Sequence, residues 1–323
     1  MPTSLPFALV SRPLPDDWLT QLSGQCRMII GATGLASLPE HFAEAEGMFS
    51  LLTDRVDDAL LAQMPRLRVV SNMAVGVDNI DLAACTRRQI PVGHTPGVLT
   101  ESTADVTLAL LLSAARRLPE ASADAKAGRW TTWSPTGWLG ADLTGAKLGI
   151  VGMGKIGEAV TARAQGFGVR VIYTSRGAHP TIETRFSAVR VPLETLLRES
   201  DFVSLHVPLT AETCGLINES TLRLMKRTAM LVNAARGPVV DTAALYRALR
   251  EGWIAGAALD VTDPEPLPAD HPLYQLPNCF IVPHIGSATW GTRQRMAERA
   301  GENLLAGLRG ERLPYCVNPE VYP

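Results

Sequence analysis

Residues 147–176 read KLGIVGMGKIGEAVTARAQGFGVRVIYTSR: an apolar run, a glycine turn, a helical stretch and a second apolar run. This order constrains the fold more than any other feature of the chain. Gly152, Gly154 and Gly157 give the spacing G-x-G-x-x-G between the first run and the helix. Each glycine then has its own physical reason. The first permits a tight turn, the second lets backbone N–H groups approach a pyrophosphate, and the third lets the helix pack close to the strand. A chance cluster of turn glycines needs neither a strand before it nor a helix after it, so the context argues for a phosphate-cradling βαβ unit.

Such a unit needs parallel strands beside it, and the chain supplies them. FALV, RMII, GMFS and RVVS lie in the first hundred residues; KLGIV, VRVIY, DFVSLHV, AMLVN, GAALDV and CFIVP follow between 147 and 283. Short Val/Ile/Ala-rich runs alternating with helical stretches predict an α/β fold with two doubly wound parallel-sheet domains. ESTADVTLALLLSAARRLPEAS predicts a helix capped by Glu101 or Ser102, with Leu108, Leu111 and Leu112 on its apolar face and Pro119 ending the pattern. It stands where the first series of strands gives way to the second. Another helix is predicted over 289–308, returning to the first domain. The second domain is then an insertion: 1–100 with 287–323 form one domain, 101–286 the other.

The 323 residues are 46% apolar and carry a net charge of −2, which allows two filled cores and argues against nucleic acid or an anionic membrane held by charge alone. No apolar run reaches the length of a membrane span. Cys26, Cys85, Cys214, Cys279 and Cys316 are scattered without C-x-x-C spacing, which fits reduced thiols and neither a disulfide framework nor a metal site. MPTSLPFALVSRPLP has no basic segment leading into a long apolar one, so the expected location is the cytoplasm.

The end of the second strand in a dinucleotide-binding βαβ unit normally carries an Asp or Glu that bonds the adenosine ribose and selects NAD. Here Ser175 and Arg176 occupy that place, and no acid occurs between Tyr173 and His179. A carboxylate would repel a 2′-phosphate, whereas a hydroxyl and a guanidinium bind one. The site is therefore expected to take NADP(H), with weaker use of NAD(H). The plainer alternative is that Arg176 is a solvated loop residue.

Three polar groups follow later strand runs: Arg236 in LVNAARGPVVDTAAL, Glu265 in AALDVTDPEPLP beside Asp260 and Asp263, and His284 in CFIVPHIGSATWGTR. In an open parallel sheet the carboxyl ends of the strands line the ligand crevice. Reduction of a 2-keto acid needs a cation on the carboxylate and keto oxygen, and a proton donor for that oxygen as hydride reaches the carbon. The arginine fork suits the first task and histidine the second. A neighbouring glutamate favours the imidazolium and orients the ring. Arg236 is thus read as binding and polarising the substrate, His284 as the substrate-contacting acid–base group, and Glu265 as its partner. Singly, each also has an ordinary reading as a turn arginine, a structural histidine or a solvated glutamate.

GIVGMGKIG, HVPLTAET, LVNAARGPVVD, ALDVTDPEPLP and VPHIGSA together resemble the D-isomer-specific 2-hydroxyacid dehydrogenase family. MAVGVDNIDL, RQIPVGHTPGVLTESTADVTLALLLSAARRLPEA, HIGSATWGTR and LLAGLRGE resemble its glyoxylate/hydroxypyruvate reductase branch, so the likeness covers nearly the whole chain. The resemblance implies a Rossmann NADP-binding domain inserted into a flavodoxin-like substrate domain. It gives the catalytic roles to Arg236, Glu265 and His284, and the substrate carboxylate to backbone amides of Val75 and Gly76. The cofactor contacts it implies, besides the three glycines, are Thr103, Lys155, Ile156, Ser175, Arg176, Pro208, Ala234, Asp260, Gly286 and Ser287.

The leading expectation is NADPH-dependent reduction of glyoxylate to glycolate and of hydroxypyruvate to D-glycerate. A reductase of a larger 2-keto acid, of 2-ketogluconate or phenylpyruvate type, is the nearer alternative; a dinucleotide-sensing, corepressor-like binding protein is the more distant one. The resemblance also implies a homodimer joined through the Rossmann domain. RWTTWSPTGWLG then places Trp130, Trp133 and Trp138 where subunits join, either packing the interface or reaching the neighbour's pocket.

Overall fold

The computed structural model describes residues 5–323; the first four, part of the stretch read for a leader, lie outside the described residues. The chain divides into two compact units, 1–99 with 289–323 and 100–288.

The first unit is built on β1 (Phe7–Val10), β2 (Arg27–Ile30), β3 (Gly47–Ser50), β4 (Val69–Asn72) and β5 (Val92–Gly93). These strands pair with one another in parallel, in the order β2-β1-β3-β4-β5, which is the flavodoxin-like order, and Gly93 of β5 makes one antiparallel bridge to Cys316. Strand alternation feeds a core on each face. Phe7 and Leu9 pack with Leu61, Val70 and Ile90. Ala8 and Val10 pack on the other face with Ala297, Ala300 and Leu304 of the helix Trp290–Arg309. Thr289 caps that helix by accepting from the Thr292 amide.

The second unit carries β6 (Lys147–Val151), β7 (Arg170–Thr174), β8 (Val189–Arg190), β9 (Phe202–Leu205), β10 (Met230–Asn233), β11 (Gly256–Leu259) and β12 (Cys279–Ile281). The order is β12-β11-β10-β9-β6-β7-β8, again wholly parallel. This is the dinucleotide-binding order, with one further strand at the β12 edge. Leu231, Ala257 and Leu259 serve one core, while Val232, Ala258, Leu148 and Ile150 serve the other. Burial on both faces is what an all-parallel sheet requires.

Three details differ from the sequence reading. β5 and β8 are two-residue edge strands, too short for any periodic signal. The domain-crossing helix ends at Ala115, and Pro119, rather than only ending a pattern, sits in the first turn of a further helix, Leu118–Lys126. Left-handed Arg117 breaks the chain between the two, and proline is tolerated in a first turn because the amide it lacks has no partner there. Among the described residues no helix is long and apolar enough to cross a membrane.

Candidate active site

The glycine turn follows β6. Gly152 has φ +99°, and a Cβ there would strike the His206 carbonyl carbon and oxygen at 2.8 Å. A Cβ on Gly157 would lie 2.3 Å from the Gly152 oxygen, so the helix Lys155–Ala164 rests directly on the turn. Gly154 is different, because a Cβ there meets nothing within 4 Å among the described residues. The turn is thus closed where it packs and open at the glycine that starts the helix. The amides of Lys155 and Ile156 are among the first-turn N–H groups that have no intrahelical carbonyl. Open space before unpaired amides at a helix N-terminus fits a pyrophosphate.

Neighbouring strands hold this turn in place. Gly152 donates to the Thr174 carbonyl at the end of β7 (2.9 Å), and the His206 amide after β9 donates to Val151 (2.7 Å). Ser175 and Arg176 follow β7 immediately, and Arg176 is exposed. Pro208 follows β9, its carbonyl accepting from the Thr213 hydroxyl at 2.6 Å. Ala234, after β10, is buried.

Glu265, His284, Asp260, Gly286 and Thr103 come together past β11 and β12. His284 Nδ1 lies 2.6 Å from Glu265 Oε1. His284 has φ +51°, a conformation that costs a non-glycine residue about 1–2 kcal/mol and needs a surrounding structure to enforce it. Asp260 enforces it. Its carbonyl accepts from the His284 amide (2.9 Å), and its carboxylate accepts from Ile285 N at 2.6 Å and Gly286 N at 3.0 Å. Thr103 completes the cluster by donating to the Gly286 carbonyl at 3.3 Å, and Ser287 follows next in the chain.

The charges in this cluster have traceable causes. Burial pushes Glu265 up, but the bond and charge of His284, the Thr262 amide and the Arg236 charge together hold it below the ordinary carboxylate range. Burial raises the Asp260 carboxyl, helped by the Glu265 charge and opposed by the Ile285 and Gly286 amides and by His284. Arg236 follows β10, half-buried, with its Nη1 on the Ala235 carbonyl at 2.7 Å. Val75 and Gly76 belong to the five-stranded unit. Their carbonyls are engaged, Val75 O by His94 Nδ1 and Gly76 O by Asn72 Nδ2, both at 3.0 Å. Among the described residues no hydrogen bond engages their amides.

Sequence reasoning missed Asn233 and Arg190. Asn233, buried at the last position of β10, accepts from Ala235 N and donates to the Arg236 carbonyl, so it shapes the turn that presents Arg236. An Asn closing a wholly apolar strand was the available signal. Arg190 reaches the Ser175–Arg176 turn from β8, and no local pattern announces it. Among the described residues no group of three or more His, Cys, Asp or Glu side chains is placed to hold a metal ion.

A doubly wound sheet with a glycine turn of this build is the architecture of a dinucleotide-binding protein. Comparison with known proteins narrows the class. Residues 108–286 match the family profile described as D-isomer specific 2-hydroxyacid dehydrogenase, NAD binding domain. The glyoxylate reductase of Korarchaeum cryptofilum is 48% identical over 321 residues, covering 98% of this chain and 97% of that protein. A crystal structure of a Thermus thermophilus protein superposes with a TM-score of 0.90 at 50% identity, over 96% of this chain and 99% of that one. The NADPH-dependent glyoxylate/hydroxypyruvate reductase of Sinorhizobium meliloti, solved with NADP and malonate, gives 0.88 at 31% identity, over 98% of each chain. The chain belongs to the D-isomer specific 2-hydroxyacid dehydrogenase family.

Proposed function

We propose that this chain reduces glyoxylate to glycolate and hydroxypyruvate to D-glycerate, with NADPH as the preferred reductant and His284 as the proton donor. The observation that carries the reading is the Glu265–His284 pair at 2.6 Å, set at the carboxyl edge of the same sheet that bears the glycine turn. The names of the relatives in Korarchaeum cryptofilum and Sinorhizobium meliloti support the substrate class.

The bound reduced nicotinamide supplies the hydride. Arg236 draws electron density from the keto oxygen and pairs with the substrate carboxylate. Glu265 occupies Nδ1 of His284, which leaves Nε2 to give its proton to the oxygen as the alkoxide forms. The amides of Val75 and Gly76 take the remaining share of the carboxylate. Residues 100–288 serve as the dinucleotide domain, with Thr103, Asp260, Gly286 and Ser287 on the nicotinamide side, and the other unit serves the substrate. Ser175 and Arg176, in place of an acid, receive the 2′-phosphate.

The test is kcat/KM for NADPH and NADH with glyoxylate, hydroxypyruvate, 2-ketogluconate and phenylpyruvate. One charge-assisted phosphate contact is worth about 1.5–3 kcal/mol, so NADPH should lead by roughly ten- to a hundredfold. Equal use of both cofactors would remove the NADPH assignment. Faster turnover of the larger acids would replace the substrate assignment.

A further inference from the structure

We propose that Arg190 is a second determinant of dinucleotide choice, a positioning residue that holds the Ser175–Arg176 turn ready for a 2′-phosphate. The inference rests on the NADPH reading and adds a residue from a different strand. β8 pairs in parallel with β7, Ile172 opposite Val189 and Tyr173 opposite Arg190, and Val191 N donates to the Tyr173 carbonyl at 2.9 Å. This register sets Arg190 beside the end of β7. One of its nitrogens, Nη2, donates to two consecutive carbonyls, Ser175 O at 2.9 Å and Arg176 O at 3.0 Å.

Two adjacent carbonyls held by one nitrogen fix both peptide planes, and so fix the base of each side chain assigned to the phosphate. The far end of the turn is braced independently. His179 N donates to the Tyr173 hydroxyl at 2.9 Å, and the Tyr173 ring is fully buried. The turn is thus ordered before any ligand arrives, and an ordered site avoids the entropy of arranging exposed arginines on binding.

Charge points the same way. Two carboxylates that contact the residues bracing the turn are already engaged, Glu158 with His179 at 3.2 Å and Glu183 with the Tyr173 hydroxyl at 2.5 Å. Among the described residues neither Arg176 nor Arg190 has a carboxylate partner. Two guanidinium groups at one turn without a counter-charge fit a dianionic phosphate and make a poor neighbour for a bare ribose.

The experiment is calorimetric binding of adenosine 2′,5′-bisphosphate and of 5′-AMP, which differ only in the 2′-phosphate. The parent, R190A, R190K, R176A and the R176A/R190A double variant are compared by the ratio of the two affinities. The parent should favour the bisphosphate, and R190A should lose about tenfold of that ratio, because the turn that presents the phosphate contacts is no longer held. R190K should recover most of it, because one ammonium can serve both carbonyls as Nη2 does. In the R176A background the same change should cost less, since one of the two side chains that Arg190 positions is already gone. A parent that binds both nucleotides equally sinks the NADPH reading itself. A parent that discriminates, with an R190A that does so as well, sinks only the role of Arg190. So does full additivity in the double variant. A variant that merely loosens the protein would weaken both nucleotides alike, keep the ratio, and count against the proposal.

Discussion

His284 stands in a backbone conformation that a histidine rarely adopts, and its main restraints come from Asp260 and Glu265, just past β11. Asp260 holds the amides of residues 284–286, and Glu265 holds Nδ1. Ring position and ring orientation therefore have separate supports, which makes the proposed proton transfer separable by substitution. His284→Asn should cost about 10²–10⁴-fold in kcat for reduction, the usual worth of a positioned general acid, while dinucleotide binding persists. Glu265→Gln should cost less and show itself in the pH profile. The folded pKa of Glu265 lies below its ordinary value, so its ionised form contributes above that ordinary value and is lost only as pH falls through the lower folded value. Near neutrality the parent imidazole always faces a full negative charge. Glutamine has no charge to lose, so the fall in rate that protonation of Glu265 brings at low pH should be absent from its profile. Profiles of kcat against pH for the three proteins decide it. Near-parental turnover by His284→Asn would assign the proton to another group.

At the scale of elements, the end of β9 carries an unused titratable group. His206 Nε2 lies 2.8 Å from the Ser204 hydroxyl, while Nδ1 is buried with no hydrogen-bond partner among the described residues, although the residue as a whole keeps some exposure. Burial pushes its pKa down from 6.5 to about 4. A histidine with a depressed folded pKa binds its proton more readily in the unfolded chain, so stability falls with pH through the window from 6.5 to about 4. The shift bounds the linked loss at about 3 kcal/mol. As the pH drops through that window the denaturant midpoint of the parent should fall relative to that of His206→Phe; parallel curves would discard the linkage. The elements also show what could be read from the sequence. Strands of four or five apolar residues between helices were legible, because burial on both faces of a parallel sheet writes itself into composition. The order β2-β1-β3-β4-β5 came only through the family resemblance, which implied a flavodoxin-like domain, since pairing order lies in long-range contacts. β5 and β8 were too short to leave a pattern, and with β8 went Arg190. The strand-end positions of Arg236, Glu265 and His284 were legible for a similar reason: each follows an apolar run. The hydrogen bonds of Asp260 and Asn233 that shape the turns around them depend on backbone geometry that no spacing encodes.

For the whole molecule, the exposed apolar residues of one segment argue for assembly. Trp130 and Trp133 are 73% and 79% exposed, and Leu118, Trp138 and Leu139 near them in sequence are exposed as well. Arg117 stacks over the Trp138 ring at 4.9 Å, which covers one tryptophan and leaves the other two bare. A protein rarely leaves such a cluster in water, and tryptophan is among the residues most enriched where proteins meet. The proposed partner is a second copy of this chain, and a net charge of −2 opposes that association only weakly. Light scattering should then give a molar mass of twice the 34.7 kDa of one chain. Trp130→Ser with Trp133→Ser should move the mass toward a single chain, because the desolvated apolar area that holds the contact is lost. A parent that scatters as one chain would end the idea. Kinetics of the dissociated variant then divide the two roles open to these tryptophans. If they only pack the interface, kcat/KM changes alike for every 2-keto acid. If one of them reaches the neighbour's pocket, the order of substrates changes, with the larger acids gaining relative to glyoxylate as an aromatic wall is withdrawn.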